Sequence, residues 1–236
     1  MKGWNWEGFW GYFLNPYLLG GAAVTVVLTV VALCLGLVLG LALALMRMSS
    51  HRALSVPAQA YIWMFRGTPL LVQLVIIYTG LPQLDDRLRL DVTESAVLGL
   101  VLNEAAYLAE IVRAGISAVA RGQREAALAL GLSRWRAFRL VVLPQAMRII
   151  VPPLGNSVNG LLKATSIVSV ISMEELMRRG QILMQERFQV LEIFIVVAVL
   201  YLVMTTAWEI AQRRIEAHYA RGYGAADPRR AARDDR

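Results

Sequence analysis

The sequence has little cysteine, histidine and charge. Cys34 is the only cysteine among 236 residues, which excludes a disulfide scaffold. His51 and His218 are far apart, so no metal site is predicted. Charged residues make up 17% of the chain, against about a quarter in a soluble domain. With 57% hydrophobic residues and a mean hydropathy of +0.53, this composition excludes disorder and indicates an integral membrane protein.

Long apolar segments predict an all-α membrane protein with five transmembrane helices, since about 20 apolar residues cross a bilayer. The predicted spans are residues 18–46, 58–81, 94–119, 149–162 and 190–210.

Three regions are predicted along the chain. Residues 1–17 are rich in Trp, Tyr and Phe, and such rings favour the outer membrane interface. Residues 18–212 form the transmembrane domain. Residues 213–236 form an Arg-rich tail, and its last part, 225–236, consists of small and charged residues. Such a segment has too few apolar residues to pack, so we predict a disordered cytoplasmic tail.

The basic residues predict the orientation of the chain. Fifteen of the 24 Lys and Arg residues lie in segments 47–56, 120–148 and 212–236, and six lie on the opposite side. The positive-inside rule places the side with more Lys and Arg in the cytoplasm. The N-terminus is therefore predicted outside and the C-terminus inside.

The loop at 120–146 is the most informative segment. A short helix is predicted from 121 to 130, ended by Gly131 at a C-cap position. An amphipathic segment at 133–143 follows, with Ser133 as its N-cap. From these residues alone, the loop is either a rigid knob presented to the cytosol or a surface loop packed against its own helix ends.

The spacing in this loop matches a known motif. Glu125-Ala126-Ala127, Gly131, Val141 and Leu143-Pro144 follow the EAA motif of ABC-importer permeases, with Val141 in place of the usual Ile. Three further blocks have the character of that family and occur in the same order, at 66–74, 106–113 and 161–171. The chain therefore resembles the permease subunits of binding-protein-dependent ABC importers, in the branch for polar amino acids and opines.

This resemblance implies a type I permease core with a coupling helix between the third and fourth spans. It implies a protein of the bacterial cytoplasmic membrane that is not an enzyme and binds no cofactor, since ATP and magnesium bind to separate ATPase subunits. The expected partners are a second permease subunit, identical or related, two cytosolic ATPases and an extracytoplasmic solute-binding protein. The residues expected to couple to the ATPase are Glu125, Ala126, Ala127, Gly131, Leu143 and Pro144.

Polar side chains within the spans are candidates for the solute pathway, because burying them in a membrane is costly. Apart from Glu104, the candidates in the third span share one helix face, and those in the fourth share another. A solute carboxylate would bind Lys163 or Arg66, and its ammonium group would bind Glu104 or Glu110. The full set is Arg66, Asn103, Glu104, Tyr107, Glu110, Asn156, Asn159 and Lys163.

These candidates also have structural explanations. Glu110 and Arg113 are three residues apart and can neutralise each other. Lys163 can extend its amine to the interface. Arg66 can satisfy carbonyls that Pro69 leaves without donors.

Two other classes of function remain possible at this point. A channel or secondary transporter also needs polar groups in the membrane, but it needs no regular cytoplasmic knob and often has an inverted repeat, which the sequence does not show. An intramembrane enzyme would need a nucleophile with a base or a metal cluster, and neither has a recognisable spacing here.

Overall fold

The computed structural model describes residue 4 and residues 6–220, and these residues form helices and no strands. In chain order the helices of more than three residues are α1 (Trp6–Phe13), α2 (Pro16–Arg47), α3 (Arg52–Gly67), α4 (Leu70–Leu84), α5 (Val92–Ser117), α6 (Arg121–Ala129), α7 (Arg134–Ile171), α8 (Leu176–Arg187) and α9 (Val190–Ala220).

Among the described residues, four helical segments are long and apolar enough to cross a membrane: Gly8–Arg47, Val92–Ser117, Arg134–Ile171 and Val190–Tyr219. Helices α3 and α4 pass the same test as a pair, but their axes meet at 106°. The all-α membrane fold is confirmed. The second predicted span, at 58–81, is a broken helix.

Local capping explains where the spans begin. The Asn15 side chain accepts a hydrogen bond from the Tyr17 N–H at 2.9 Å, and Pro16 occupies the first turn of α2, where its missing N–H has no cost. Asp91 and Glu94 form a reciprocal capping box at the start of α5. With 32 residues, α2 is about 48 Å long, enough to cross a bilayer.

The centre of the bundle is the packing of α2 against α5. Gly36 and Gly40 face this contact, and a Cβ on Gly40 would lie 2.9 Å from the Ala105 carbonyl oxygen and 2.9 Å from the Leu108 Cβ. Ala105 is fully buried. Small residues at a spacing of four allow membrane helices to approach closely, so this pair positions α5, which carries most of the candidate polar residues.

The break between α3 and α4 is held by Gln73. Its side-chain amide donates to the Phe65 carbonyl at 2.9 Å and to the Thr68 carbonyl at 3.1 Å. Gln73 is 7% exposed, and it satisfies carbonyls that have no helical partner at the break. The proposed role of Arg66 at these carbonyls is therefore filled by Gln73.

The structure extends two predicted helices. The predicted fourth span lies inside a longer helix that begins at Arg134, because the amphipathic segment at 133–143 is the first part of α7. The last helix extends to Ala220, so residues 213–220 of the predicted disordered tail are helical. Residues 221–236 of that tail lie outside the described residues.

The N-terminal aromatic segment is partly a helix. Phe9 is buried in a cluster with Leu18 and Ile193, and the Tyr12 hydroxyl donates to the Gln189 side chain at 2.6 Å. Helix α1 therefore packs on α9. Residues 1–3 and 5 of the predicted interfacial segment lie outside the described residues.

Helix α8 is fastened to the bundle by Glu175. This fully buried side chain caps α8 by accepting hydrogen bonds from the backbone N–H groups of Met177 and Arg178 at 2.9 and 2.8 Å. It also accepts from the Tyr201 hydroxyl on α9 at 2.7 Å and from Thr25 on α2 at 3.4 Å. Burial raises the pKa of the Glu175 carboxyl, and these hydrogen bonds offset the rise only in part.

Candidate functional site

Helix α6 ends in a Schellman cap, as the Gly131 signal predicts. Gly131 has φ +83°. Its N–H donates to the Leu128 carbonyl at 3.0 Å, and the Leu132 N–H donates to the Ala127 carbonyl at 3.2 Å. No described atom outside the neighbouring residues lies within 4 Å of a Cβ built on Gly131. Glycine is required here by the left-handed backbone and not by lack of space.

The Glu-Ala-Ala residues of the motif, at 125–127, differ in how exposed their side chains are. Ala127 is buried, whereas Glu125 and Ala126 are exposed. One face of α6 thus packs on the rest of the chain, and the other leaves a carboxylate and a methyl group exposed on the surface of the protein. The loop therefore contains a regular helix that is exposed on most of its surface between two candidate spans.

Leu143 and Pro144 lie inside α7 and not in a loop. The helix widens into a π turn at Phe138–Val142 immediately before them. Proline lacks an N–H and its ring clashes with the carbonyl four residues earlier, and the π turn gives room for this ring. Ser133 begins the helix by accepting a 3.4 Å hydrogen bond from the Arg136 N–H. The coupling segment and the fourth span are therefore one continuous element.

A largely apolar cleft of about 320 Å³ that contains a few polar side chains lies between α4, α5 and α7. It contains Asn103, Glu104 and Tyr107 of the predicted pathway, together with Ser157 and Gly160 of α7. Leu70 and Ile167 are among its apolar lining residues. Ser157 and Gly160 are not among the predicted pathway residues, because a serine or a glycine within a span is too common to mark a pathway from sequence.

Glu104 is the acidic residue of the cleft. It is 6% exposed, and one carboxylate oxygen accepts a hydrogen bond from the Ser157 hydroxyl at 2.5 Å. In the described part of the chain, the other oxygen has no hydrogen-bond or ion-pair partner. A buried carboxylate without a counter-charge costs several kcal/mol, and a bound cation would offset this cost.

Asn103 and Tyr107 line the same cleft, and Arg66, which is outside its lining, contacts Tyr107. The Asn103 amide donates to the Gln73 side chain at 3.0 Å. The Arg66 guanidinium lies over the Tyr107 ring, 5.4 Å from its centroid, within the range of a cation–π contact. Arg66 is exposed, so its donors remain accessible to an anionic group beside the cleft.

The remaining candidates are engaged elsewhere. Glu110 forms ion pairs with Arg47 at 3.1 Å and with Arg113 at 2.5 Å, so the structural alternative for Glu110 is confirmed. It joins the last turn of α2 to α5.

Asn156 and Asn159, the asparagine stripe of α7, face α9. Asn159 donates to Glu209 at 3.4 Å, and Asn156 accepts from Gln212 at 3.4 Å. Lys163 is exposed beside a different cavity, of about 250 Å³, whose lining includes Tyr201. The two asparagines do lie on one side of α7, as predicted. The cleft is lined by a different side of this helix, which carries Ser157 and Gly160.

The chain matches the family described as binding-protein-dependent transport system inner membrane component over residues 36–221. The chain belongs to this family. Members are membrane subunits of transport systems, so the chain is a transport component rather than an enzyme, and it is a multi-pass protein of the cytoplasmic membrane. Family membership implies a solute-binding protein and an ATPase as partners.

Two curated relatives are similar along most of the permease. The chain is 40% identical to the arginine transport system permease protein ArgU of Corynebacterium glutamicum, over 94% of this chain and 74% of the relative. It is also 40% identical to the glutamine transport system permease protein GlnP of Escherichia coli, over 90% and 96%.

The fold also matches a solved structure. The crystal structure of an amino acid ABC transporter with histidines contains a chain with a TM-score of 0.85 and 38% identity, which covers 92% of this permease and 100% of that chain. The resemblance inferred from the EAA-like spacing is thereby confirmed at the level of family and fold.

Proposed function

We propose that this permease moves polar amino acids, or related opine-like solutes, into the cell in an ATP-driven importer. The observation that carries the proposal is the buried Glu104 carboxylate in the cleft, together with the exposed Arg66 guanidinium, which lies outside the lining over the ring of the lining residue Tyr107. These opposite charges suit the ammonium and carboxylate groups of an amino acid. The names of the relatives, which specify arginine and glutamine, support this solute class.

The exposed face of α6 is the proposed contact with the ATPase. Glu125 would pair with a basic group, and the small Ala126 would allow close approach. Because α6 is joined through Gly131 and Ser133 to the start of α7, movement of α6 would be transmitted to the helix that lines the cleft. Leu143 and Pro144 lie further along α7 and would transmit this movement. The permease itself would bind neither ATP nor magnesium.

Two permease subunits, identical or related, would pair in the membrane above two ATPases. The N-terminus would lie outside and the C-terminus inside. This orientation rests on the arginine distribution and places α6 on the ATPase side.

Gly131→Ala tests the coupling role, with Gly122→Ala as the matched control. Both glycines have no neighbour within 4 Å of an added Cβ, but only Gly131 has a positive φ. The Gly131 change costs about 1 kcal/mol or more at the cap, whereas alanine favours a helix at 122.

Uptake of a labelled amino acid and ATPase co-purification are measured for both variants in the complete transporter. We expect Gly131→Ala to reduce ATP-dependent uptake and ATPase retention severalfold, and Gly122→Ala to leave both near wild type. Equal behaviour of the two variants would remove the cap of α6 from the coupling mechanism.

A further inference from the structure

Another cavity, of about 580 Å³, lies beside α6 at the arginine-rich end of the bundle. It is formed where α2 and α5 end and where α6 and α7 begin. Its apolar lining includes Leu45, Met48, Ile116, Phe138 and Val142. Neither the solute cleft nor the exposed face of α6 includes these side chains.

The polar residues of this cavity are strongly basic. Arg121, Arg124 and Arg134 line it, and none of the described lining residues is acidic. All three arginines are exposed, and none of them forms an ion pair within residues 4 and 6–220. Glu125 is adjacent to Arg124 in sequence but does not line the cavity. The cavity therefore combines an apolar floor with an uncompensated positive edge.

The floor continues into an exposed aliphatic surface of α2. Leu45 is 54% exposed and Met48 is 42% exposed, and the preceding turns of α2 carry further exposed aliphatic side chains, including Val38 and Leu41. Trp135 lines the cavity and is 67% exposed. Exposed tryptophan and arginine at the end of a span are typical of the headgroup region.

We propose that this cavity binds one anionic phospholipid. The three arginines would hold the phosphate headgroup, and Leu45, Met48 and Phe138 would contact the upper part of the acyl chains. Basic cavities between membrane helices on the cytoplasmic side suit such headgroups. A bound lipid would tie the base of α6 to the ends of α2 and α5, and so hold the proposed coupling helix at the membrane surface.

An ATPase surface is the competing occupant, since α6 is the proposed ATPase contact. The geometry favours lipid because the apolar floor is continuous with the exposed aliphatic side of α2, and because it includes Leu45 and Ile116 of the candidate spans α2 and α5. The exposed residues Glu125 and Ala126 are not part of this cavity.

The test uses the complete permease–ATPase transporter in detergent and dioleoylphosphatidylglycerol, with dioleoylphosphatidylcholine as the zwitterionic reference. Bound lipid is counted by native mass spectrometry during titration. A brominated form of each lipid reports position by quenching Trp135, and Trp135→Phe identifies that signal. The cavity variant combines Arg121→Gln, Arg124→Gln and Arg134→Gln. The matched control is Arg136→Gln, Arg139→Gln and Arg213→Gln, three exposed arginines outside the cavity.

We expect wild type to bind phosphatidylglycerol more tightly than phosphatidylcholine. In the cavity variant, the ratio of the two affinities should fall about fivefold for each arginine removed. The control variant should keep this preference for phosphatidylglycerol, and lysine at the three cavity positions should restore much of the preference. An equal loss in both glutamine variants would show general charge attraction and overturn the proposal.

Two further outcomes would also overturn the proposal: competition by inorganic phosphate at equal concentration, which would indicate a free-anion site, or binding seen only after the ATPase is removed, which would assign the cavity to the ATPase. Amino acid uptake is measured separately with the same variants. The lipid site can therefore fail while the transport function stands.

Discussion

At the scale of single residues, the solute cleft depends on one carboxylate. Glu104 keeps a single hydrogen bond to Ser157 and one oxygen without a partner in the described chain, whereas the nearby Glu110 is paired with two arginines. The two acids lie six residues apart on the same helix, so their roles differ because of what α2 and α7 place beside them.

Glu104→Gln should lower uptake of cationic, neutral and acidic amino acids alike by about 10- to 100-fold, since each carries the ammonium group that Glu104 would bind and the change removes a charge-assisted hydrogen bond from it. Uptake of one labelled amino acid from each class measures the loss. Ser157→Ala leaves the carboxylate in place and should retain most of the uptake. Uptake by Glu104→Gln equal to that of wild type would exclude Glu104 from solute recognition.

Glu175 gives a prediction about pH. Its folded-state pKa is raised by burial, so the folded protein holds this proton to a higher pH than the unfolded chain. Its contribution to stability is full below the ordinary carboxyl pKa of about 4.3 and is lost as pH rises through the folded pKa.

Relative to Glu175→Gln, wild type should therefore lose thermal stability in detergent as pH increases from 5 to 8. The exposed neighbour Glu174 provides the control, and Glu174→Gln should follow wild type. A constant difference between wild type and Glu175→Gln across this range would contradict the prediction.

At the scale of helices, the contact between α2 and α5 decides where the cleft residues lie. Gly40→Val should disrupt it, because the added Cβ would lie 2.9 Å from the Ala105 carbonyl and the Leu108 side chain, and overpacking costs about 1–3 kcal/mol. Ala42→Val on the exposed side of α2 should be nearly neutral. Thermal unfolding in detergent measures both, and equal midpoints would show that this contact tolerates a larger side chain.

The helices could be predicted from sequence where the signal is local. The cap of α6 at Gly131 and the start of α7 at Ser133 follow from residue types at known positions. The packing of Gly36 and Gly40 did not enter the prediction, although their spacing is readable. The asparagine stripe of α7 was correctly given a single face, but periodicity alone does not say which neighbour that face meets, and the neighbour is α9.

At the scale of the whole molecule, α3 and α4 determine the topology. Because they meet at 106°, they either cross the membrane together or enter and leave on one side. The arginine distribution favours crossing.

Cysteine labelling distinguishes these arrangements. With the native Cys34 replaced by serine, new cysteines are placed singly at Ser50, Leu84 and His218, which are all exposed. A membrane-impermeant maleimide should label Leu84→Cys in intact spheroplasts, and should label Ser50→Cys and His218→Cys only after permeabilisation. Labelling of positions 50 and 84 from the same side would show that α3 and α4 do not cross.

The π turn at Phe138–Val142 has a consequence for how α7 can vary. A π turn contains one residue more than an α turn, so it rotates the helix that follows by about 100° relative to an uninterrupted helix. The short segment beside α6 and the long segment beside the cleft therefore direct their side chains with a fixed offset of about 100° from the phase of an uninterrupted helix. Substitutions that adapt one segment to a different ATPase need not change which side chains the other directs towards the solute, and partner choice and solute choice can diverge separately within one helix.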